Sequence, residues 1–176
     1  MSAGPARDAA ELVRLLTGAG LTLAVAESLT GGSVVAAVVA VPGASACLRG
    51  GVVAYATDLK VTLLGVPHAL LEAVGPVHPE VALAMAQGVR DRLGADYGVA
   101  TTGVAGPEPQ GGQPPGTFHV AVAGPAGDAV RSVRTGAGGR AGVRAAARDA
   151  AVALLLEQVN RDLGGTPGLP PTLERP

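Results

Sequence analysis

The chain reads as a single α/β domain of three layers, α/β/α, built around a mixed sheet. Short apolar runs of strand length alternate with segments that are apolar at helical spacing, which indicates strands carried between helices. Near the end, "GTFHVAVAG" and "DAVRSVRT" flank "GPAGD" as a hairpin pair, so part of the sheet must be antiparallel. The apolar content, 48%, comes largely from Ala and Val, side chains small enough for helix and sheet to lie close together. A length of 176 residues suits one domain. We place it at 1–163, with a Pro- and Gly-rich tail at 164–176.

The elements follow in order. "ARDAAELVRLLTGAG" sets Ala10, Leu12, Val13 and Leu16 on one stripe and stops at Gly18 or Gly20, a glycine-ended helix. "LTLAVA" is a buried strand. The segment 31–41 has Ala for a helix and Val for a strand; the hydroxyls and glycines before it and "PGAS" after it favour a helix. "LRGGVVAYA" is a second strand and "DLKVTLLG" a short helix, followed by "PHALLEAVG". Pro79 opens the helix "PEVALAMAQGVRDRLG", with Val81, Met85 and Val89 at helical spacing and Gly94 at its end. "ADYGVATTG" is a third strand, the hairpin follows, and "GRAGVRAAARDAAVALLLEQVNRDLG" closes the domain as a long helix.

Composition removes several functional classes. Thirteen basic side chains against 14 acidic ones give no field for nucleic acid. Tyr55, Tyr97 and Phe118 are the only aromatics, too few for a base-stacking platform. The single Cys47 excludes an internal disulfide, fits a reducing cytoplasm, and reads as a small core residue. No apolar run reaches the roughly 18 residues of a membrane span, and the start does not resemble a signal peptide. We therefore expect a soluble, cytoplasmic protein with no membrane or nucleic-acid partner. His68, His78 and His119 are scattered without ligand partners at helical spacing, so we expect neither metal nor cofactor. A small Ala/Val-rich domain with a long last helix also makes a homo-oligomer an expectation.

Ligands in open α/β sheets bind beyond the carboxyl ends of strands. Three polar loops stand there: "ESLTGG", "YATDLK" and "TTGVAGPEPQGG". Taken singly, each has a structural explanation. Ser28 or Thr30 would serve as an N-cap, Thr101 and Thr102 as strand residues, Gly103 and Gly106 as turn residues, and Lys60 as a solvated side chain. Taken together, Ser28 supplies a nucleophile, while Tyr55 and Lys60 are two candidates to handle its proton. The Gly-rich turns offer backbone N–H groups to a phosphate or an oxyanion. This suits hydrolysis of an amide or ester on a phosphorylated small molecule.

Rival motifs fail on spacing. There is no Gly-Lys-Ser/Thr triplet, and "GAGGRA" at 136–141 precedes the last helix, leaving no strand for a ribose-binding acid. Tyr55 and Lys60, five apart, do not share a helical face as the Tyr/Lys pairs of some reductases do.

"AESLTGG", "GGVVAYATDLKVTLLGVP", "VHPEVALAMAQGVRDRLGADYGVATTGVAGP", "PPGTFHVAV" and "GRAGVRAAA" resemble, in order, the C-terminal domain of the competence/damage-inducible CinA family. The resemblance runs from about residue 8 to 160 and matches the stand-alone form of the domain. It implies a nicotinamide-nucleotide amidohydrolase, which converts nicotinamide mononucleotide (NMN) to nicotinate mononucleotide and ammonia in pyridine-nucleotide salvage. It implies Ser28 as nucleophile with Tyr55 and Lys60 beside it, a glycine-rich turn from Thr102 through Gly103 and Ala105 to Gly106, and two late arginines, Arg140 and Arg144. Two departures stand out. Tyr55-Ala56-Thr57 replaces Tyr-Ser-Asn, so any role of that Asn is lost or passes to Thr57. Val77-His78-Pro79-Glu80 replaces Val-Ser-Glu, a change of helix cap.

On this basis Ser28 attacks the carboxamide, Lys60 or Tyr55 takes its proton, and N–H groups near Gly31 and Gly32 hold the oxyanion. Glu27, Thr30, Gly31, Gly32, Thr102, Gly103, Ala105, Gly106 and Arg140 form the substrate-binding set, Arg140 for the nucleotide's phosphate. The contrasting class is a nucleotide-binding regulatory module with little turnover, for which a nucleophile and a base have no use.

Overall fold

The computed structural model describes residues 4–136 and 138–164. Of the expected tail, 165–176 lie outside the described residues. Helix α1 (Pro5–Ala19) begins on Pro, whose missing N–H has no partner to lose there, and ends on Gly20 in the left-handed region at φ 67°. Its buried stripe is Ala9, Leu12, Val13 and Leu16, so the inward alanine is Ala9 and the expected Ala10 faces out. Then come β1 (Leu23–Glu27), α2 (Ser33–Val39), a single 3₁₀ turn at 44–46 and β2 (Leu48–Val53). Helices α3 (Thr57–Leu64), α4 (His68–Val74) and α5 (Pro79–Leu93) lead to β3 (Tyr97–Gly103). The hairpin β4 (Thr117–Gly124) and β5 (Gly127–Arg134) precedes α6 (Gly139–Asp162).

The five strands lie in the order β2-β1-β3-β4-β5. β1 is parallel to both β2 and β3, while β3–β4 and β4–β5 are antiparallel. Alternation along each central strand sorts side chains by size. Leu23, Val25, Tyr97, Val99, Phe118, Val120 and Val122 meet α1, α2 and α6 on one face. On the other, Ala24, Ala26, Ala100, Ala121 and Ala123 meet α5 and α3. Small residues bring α5 almost onto the sheet: a Cβ on Gly98 would stand 2.0 Å from the Ala86 carbonyl. This is the use of the Ala/Val composition. It sets a thin layer on one side and a thick one on the other.

The parallel strands put their carboxyl ends on one edge, in register at Glu27, Val53 and Thr101. From that edge β1 runs into α2 on the thick face and β2 into α3 on the thin face. The diverging exits leave a crevice at the edge. Gly98→Ala should force α5 off the sheet. It is expected to lose about 1–3 kcal/mol, read as a lower urea midpoint at unchanged m-value, whereas Gly18→Ala, with open space around it, should be no less stable than wild type.

Candidate active site

Residue Ser28 follows β1, and its N–H donates to Thr101 O on β3 (3.1 Å), so the backbone is still held by the sheet there. The chain then reverses: Gly31 N–H donates to Ser28 O (3.1 Å), and Gly31 and Gly32 adopt φ 59° and 98°, a left-handed pair that a side chain would strain. The helix cap comes from neither hydroxyl. Glu27, fully buried, accepts N–H groups from Gly32 (2.9 Å) and Val34 (3.1 Å) at Oε2 and from Val35 (2.8 Å) at Oε1. An anion against the open N–H groups of α2 is favourable, and three charge-assisted bonds compensate its burial. Thr30 Oγ1 instead pairs with Thr101 Oγ1 at 2.7 Å.

Residue Lys60 lies in α3, yet it is 1% exposed and not the solvated side chain its helix suggests. Its Nζ donates to Ala54 O (2.9 Å) and hydrogen-bonds Ser28 Oγ (3.2 Å). No carboxylate pairs with it among the described residues. Burial without a counter-charge disfavours the ammonium and brings its pKa down to about 8. Tyr55 is 58% exposed and has no bond to Ser28 or Lys60. Its hydroxyl accepts from Arg140 Nη2 (2.8 Å), while Arg140 Nη1 donates to Gly106 O (2.7 Å). Arg140 thus ties the loop after β2 to the loop after β3.

These groups share a cleft of about 300 Å³ at the carboxyl edge. Of the sequence-derived set, Ser28, Tyr55, Lys60, Gly103, Ala105, Gly106 and Arg140 line it. The rest do not. Glu27 caps α2, Thr30 is turned to Thr101, and Thr102 Oγ1 donates to Pro76 O at 2.7 Å. The N–H groups of Gly31 and Gly32 are committed to Ser28 O and Glu27, so they cannot hold an oxyanion as the sequence suggested. Thr57, Glu108 and Gln110 line the cleft as well; they lie in the strand-end loops the sequence marked but were not in its substrate-binding set.

Other groups stand apart. His78 caps α5, its Nδ1 accepting from Glu80 N–H. His68 meets Glu72 at 3.4 Å one helical turn on, a partner the sequence reading had not given it, but the pair is exposed. Among the described residues, no three His, Cys, Asp or Glu gather as for a metal. Cys47 is buried, and burial raises its thiol pKa. No helix among the described residues is long and apolar enough to cross a membrane.

Fold and cleft together define a three-layer α/β protein with a serine set against a buried lysine at the carboxyl edge of its sheet. The chain belongs to the CinA family: the model of the CinA C-terminal domain matches residues 6–159. A CinA-like protein of Frankia casuarinae is 51% identical over 166 residues, 93% of this chain and 37% of that protein. One from Gloeobacter violaceus is 48% identical over 147 residues, 82% of this chain and 34% of that protein. The chain thus spans only about a third of these relatives (37% and 34%). The crystal structure of a CinA superfamily protein from Klebsiella pneumoniae superposes with a TM-score of 0.84 at 30% identity, over 90% of this chain and 99% of that one. The competence/damage-inducible protein CihA of Agrobacterium tumefaciens gives a TM-score of 0.84 at 34% identity, over 91% and 99%.

The buried amine also makes a stability prediction. Its folded pKa of about 8 lies below the ordinary 10.5, so between those values the unfolded chain binds more protons and stability rises with pH. At pH 7 the penalty approaches about 3 kcal/mol, at about 1.36 kcal/mol per pKa unit. Lys60→Met should therefore be more stable than wild type at pH 7 in urea unfolding. That advantage should shrink as pH rises toward 10. An advantage independent of pH would mean that Lys60 is not held at a lowered pKa.

Proposed function

We propose that this domain is an amidohydrolase that converts NMN to nicotinate mononucleotide and ammonia. The observation that carries the reading is the contact of Ser28 Oγ with an amine that is buried, has no carboxylate partner among the described residues and is lowered by burial to a pKa of about 8. At pH 7 roughly a tenth of such an amine is neutral and able to accept the serine proton. Oγ adds to the carboxamide carbon while Lys60 takes that proton. The C–N bond then breaks, and Lys60 returns the proton to the departing nitrogen, which leaves as ammonia. Water, deprotonated by Lys60, attacks the acyl carbon, and Ser28 Oγ leaves with the proton restored.

Lys60 suits the role of base better than Tyr55, which lacks a hydrogen bond to Ser28 and is engaged by Arg140. The choice of substrate rests on the family resemblance and on the cleft. Its volume of about 300 Å³ sits at the small end of ligand sites. Of the five N–H donors of Arg140, two are used by Gly106 and Tyr55, leaving others for a phosphate. A regulatory module without turnover would gain nothing from a buried lysine that costs stability.

The purified protein should release ammonia from NMN, and Ser28→Ala should release none while keeping its fold by circular dichroism. The riboside without phosphate should be a worse substrate by orders of magnitude in kcat/KM, because charge-assisted hydrogen bonds contribute about 1.5–3 kcal/mol each. Ammonia release by Ser28→Ala at the wild-type rate would remove the nucleophile from the scheme.

The pH dependence tests the base. In wild type, kcat/KM should climb with pH and level off above about 8, where Lys60 is neutral. Lys60→Arg should fall by about 10²–10⁴-fold, since a guanidinium stays protonated and cannot act as a general base. Near-normal activity in Lys60→Arg would reduce Lys60 to a positive charge.

A further inference from the structure

Two arginines one helical turn apart on α6 reach the loops of the cleft. Arg140 joins the second and third loops, as described. Arg144 takes hold of the first: its Nε donates to Leu29 O (3.0 Å) and its Nη2 to Thr30 O (2.9 Å). The guanidinium packs against the turn, since a Cβ built on Gly31 would lie 3.5 Å from Nη2. It makes no ion pair among the described residues, so its planar fork serves two consecutive carbonyls and no carboxylate.

Peptide geometry turns that grip into an orientation. In a trans peptide unit the C=O and the following N–H point in opposite directions. Drawing Leu29 O toward α6 turns Thr30 N–H away from it. Drawing Thr30 O the same way turns Gly31 N–H toward Ser28 O, the bond that closes the loop. The N–H groups of Leu29 and Thr30 have no acceptor among the described residues. They are the first two donors after the nucleophile, and Leu29 lines the cleft beside Ser28. In α/β-hydrolases the N–H of the residue after the nucleophile is an oxyanion donor.

We infer that Arg144 is a positioning residue: it holds the Leu29–Thr30 and Thr30–Gly31 peptide units directly and, through the Gly31 N–H bond to Ser28 O, the Ser28–Leu29 unit, so that the Leu29 N–H receives the oxyanion formed when Ser28 adds to a carbonyl. The inference rests on the amidohydrolase reading and supplies a donor that Gly31 and Gly32 cannot. Arg144 touches neither the substrate nor the reacting atoms. It acts by removing the reorientation that the peptide units of this turn would otherwise undergo at the moment of reaction.

The experiment compares wild type, Arg144→Ala and Arg144→Lys in two assays, with urea unfolding as the control for folding. The first assay measures kcat and KM for ammonia release from NMN. The second follows, by intact mass, the rate at which a fluorophosphonate labels Ser28. In that reaction the Oγ–P bond forms, fluoride leaves, the serine proton passes to Lys60, and negative charge grows on the phosphoryl oxygen. Arg144→Ala should lower kcat by about 10²-fold or more with KM changed little, the loss typical of an oxyanion donor. Labelling should slow in parallel, and guanidinium added to the buffer should restore part of both rates. Arg144→Lys should stay low, because an ammonium cannot reproduce the fork. The acidic limb of the pH profile should keep its position in both variants. Wild-type kcat and labelling in either folded variant would overturn the inference, as would a loss confined to KM. If wild type labels at Ser28 but does not deamidate NMN, the substrate reading fails while the labelling rates still decide the role of Arg144. If wild type is not labelled at all, Ser28 is not the nucleophile and the inference falls with it.

Discussion

Keeping one amine dry shapes much of this domain. Lys60 reaches from α3 to the end of β1 while staying almost fully buried, and α3 lies low on α5 so that it can. Gly88 of α5 makes this possible, since a Cβ there would stand 1.8 Å from the Leu64 carbonyl at the end of α3. Under that cover the lysine has one carbonyl and one serine hydroxyl for company and, among the described residues, no carboxylate. A carboxylate within reach would have held the ammonium charged. The absence of a partner makes the residue costly for the fold and suitable for proton transfer.

The serine is held from the opposite layer. Glu27, on the thick side, binds the start of α2, and Arg144 of α6 holds the carbonyls of the turn. Helix α6 is itself fixed at its far end, where Tyr97 donates its hydroxyl to Asp162 (2.8 Å). Ser28, at the end of β1, is therefore held from the thick layer and Lys60 comes from the thin one. The sheet edge between them sets their separation. The unequal depth of the two layers, set by side-chain size along the central strands, thus bears on the contact between Lys60 and Ser28.

Much of the fold was legible because its signals are local. Helical spacing, Pro79 at a helix start, Gly20 and Gly94 at helix ends and the turn at 125–126 each act within a few residues. The difference between Ala9 and Ala10 is one residue on an exposed helix edge, which spacing alone resolves poorly. At the site, strand-end reasoning gathered Ser28, Tyr55 and Lys60, and the family resemblance added Arg140; all four line one cleft. What it missed depends on distant contacts. The cap of α2 comes from a carboxylate five to eight residues upstream of the groups it binds, on the preceding strand, and no short capping pattern describes that. Thr30 and Thr102 look like ligands in a polar loop, and only the sheet and the Pro76 carbonyl show that their hydroxyls are already engaged. Arg140 and Tyr55 are 85 residues apart. The burial of Lys60 depends on how α3 seats on α5, information that the short segment around it does not contain.

The central claim is that Lys60 can be neutral beside Ser28 near physiological pH, and it can be observed without any substrate. Protein labelled with ¹³C at the lysine ε-carbons has a single lysine to follow. Its ε-carbon shift, titrated from pH 6 to 11, should show a transition near 8, well below the 10.5 of a solvated amine. A transition near 10.5 would mean that the amine is charged throughout the working range, and would contradict a lysine that takes the proton of Ser28.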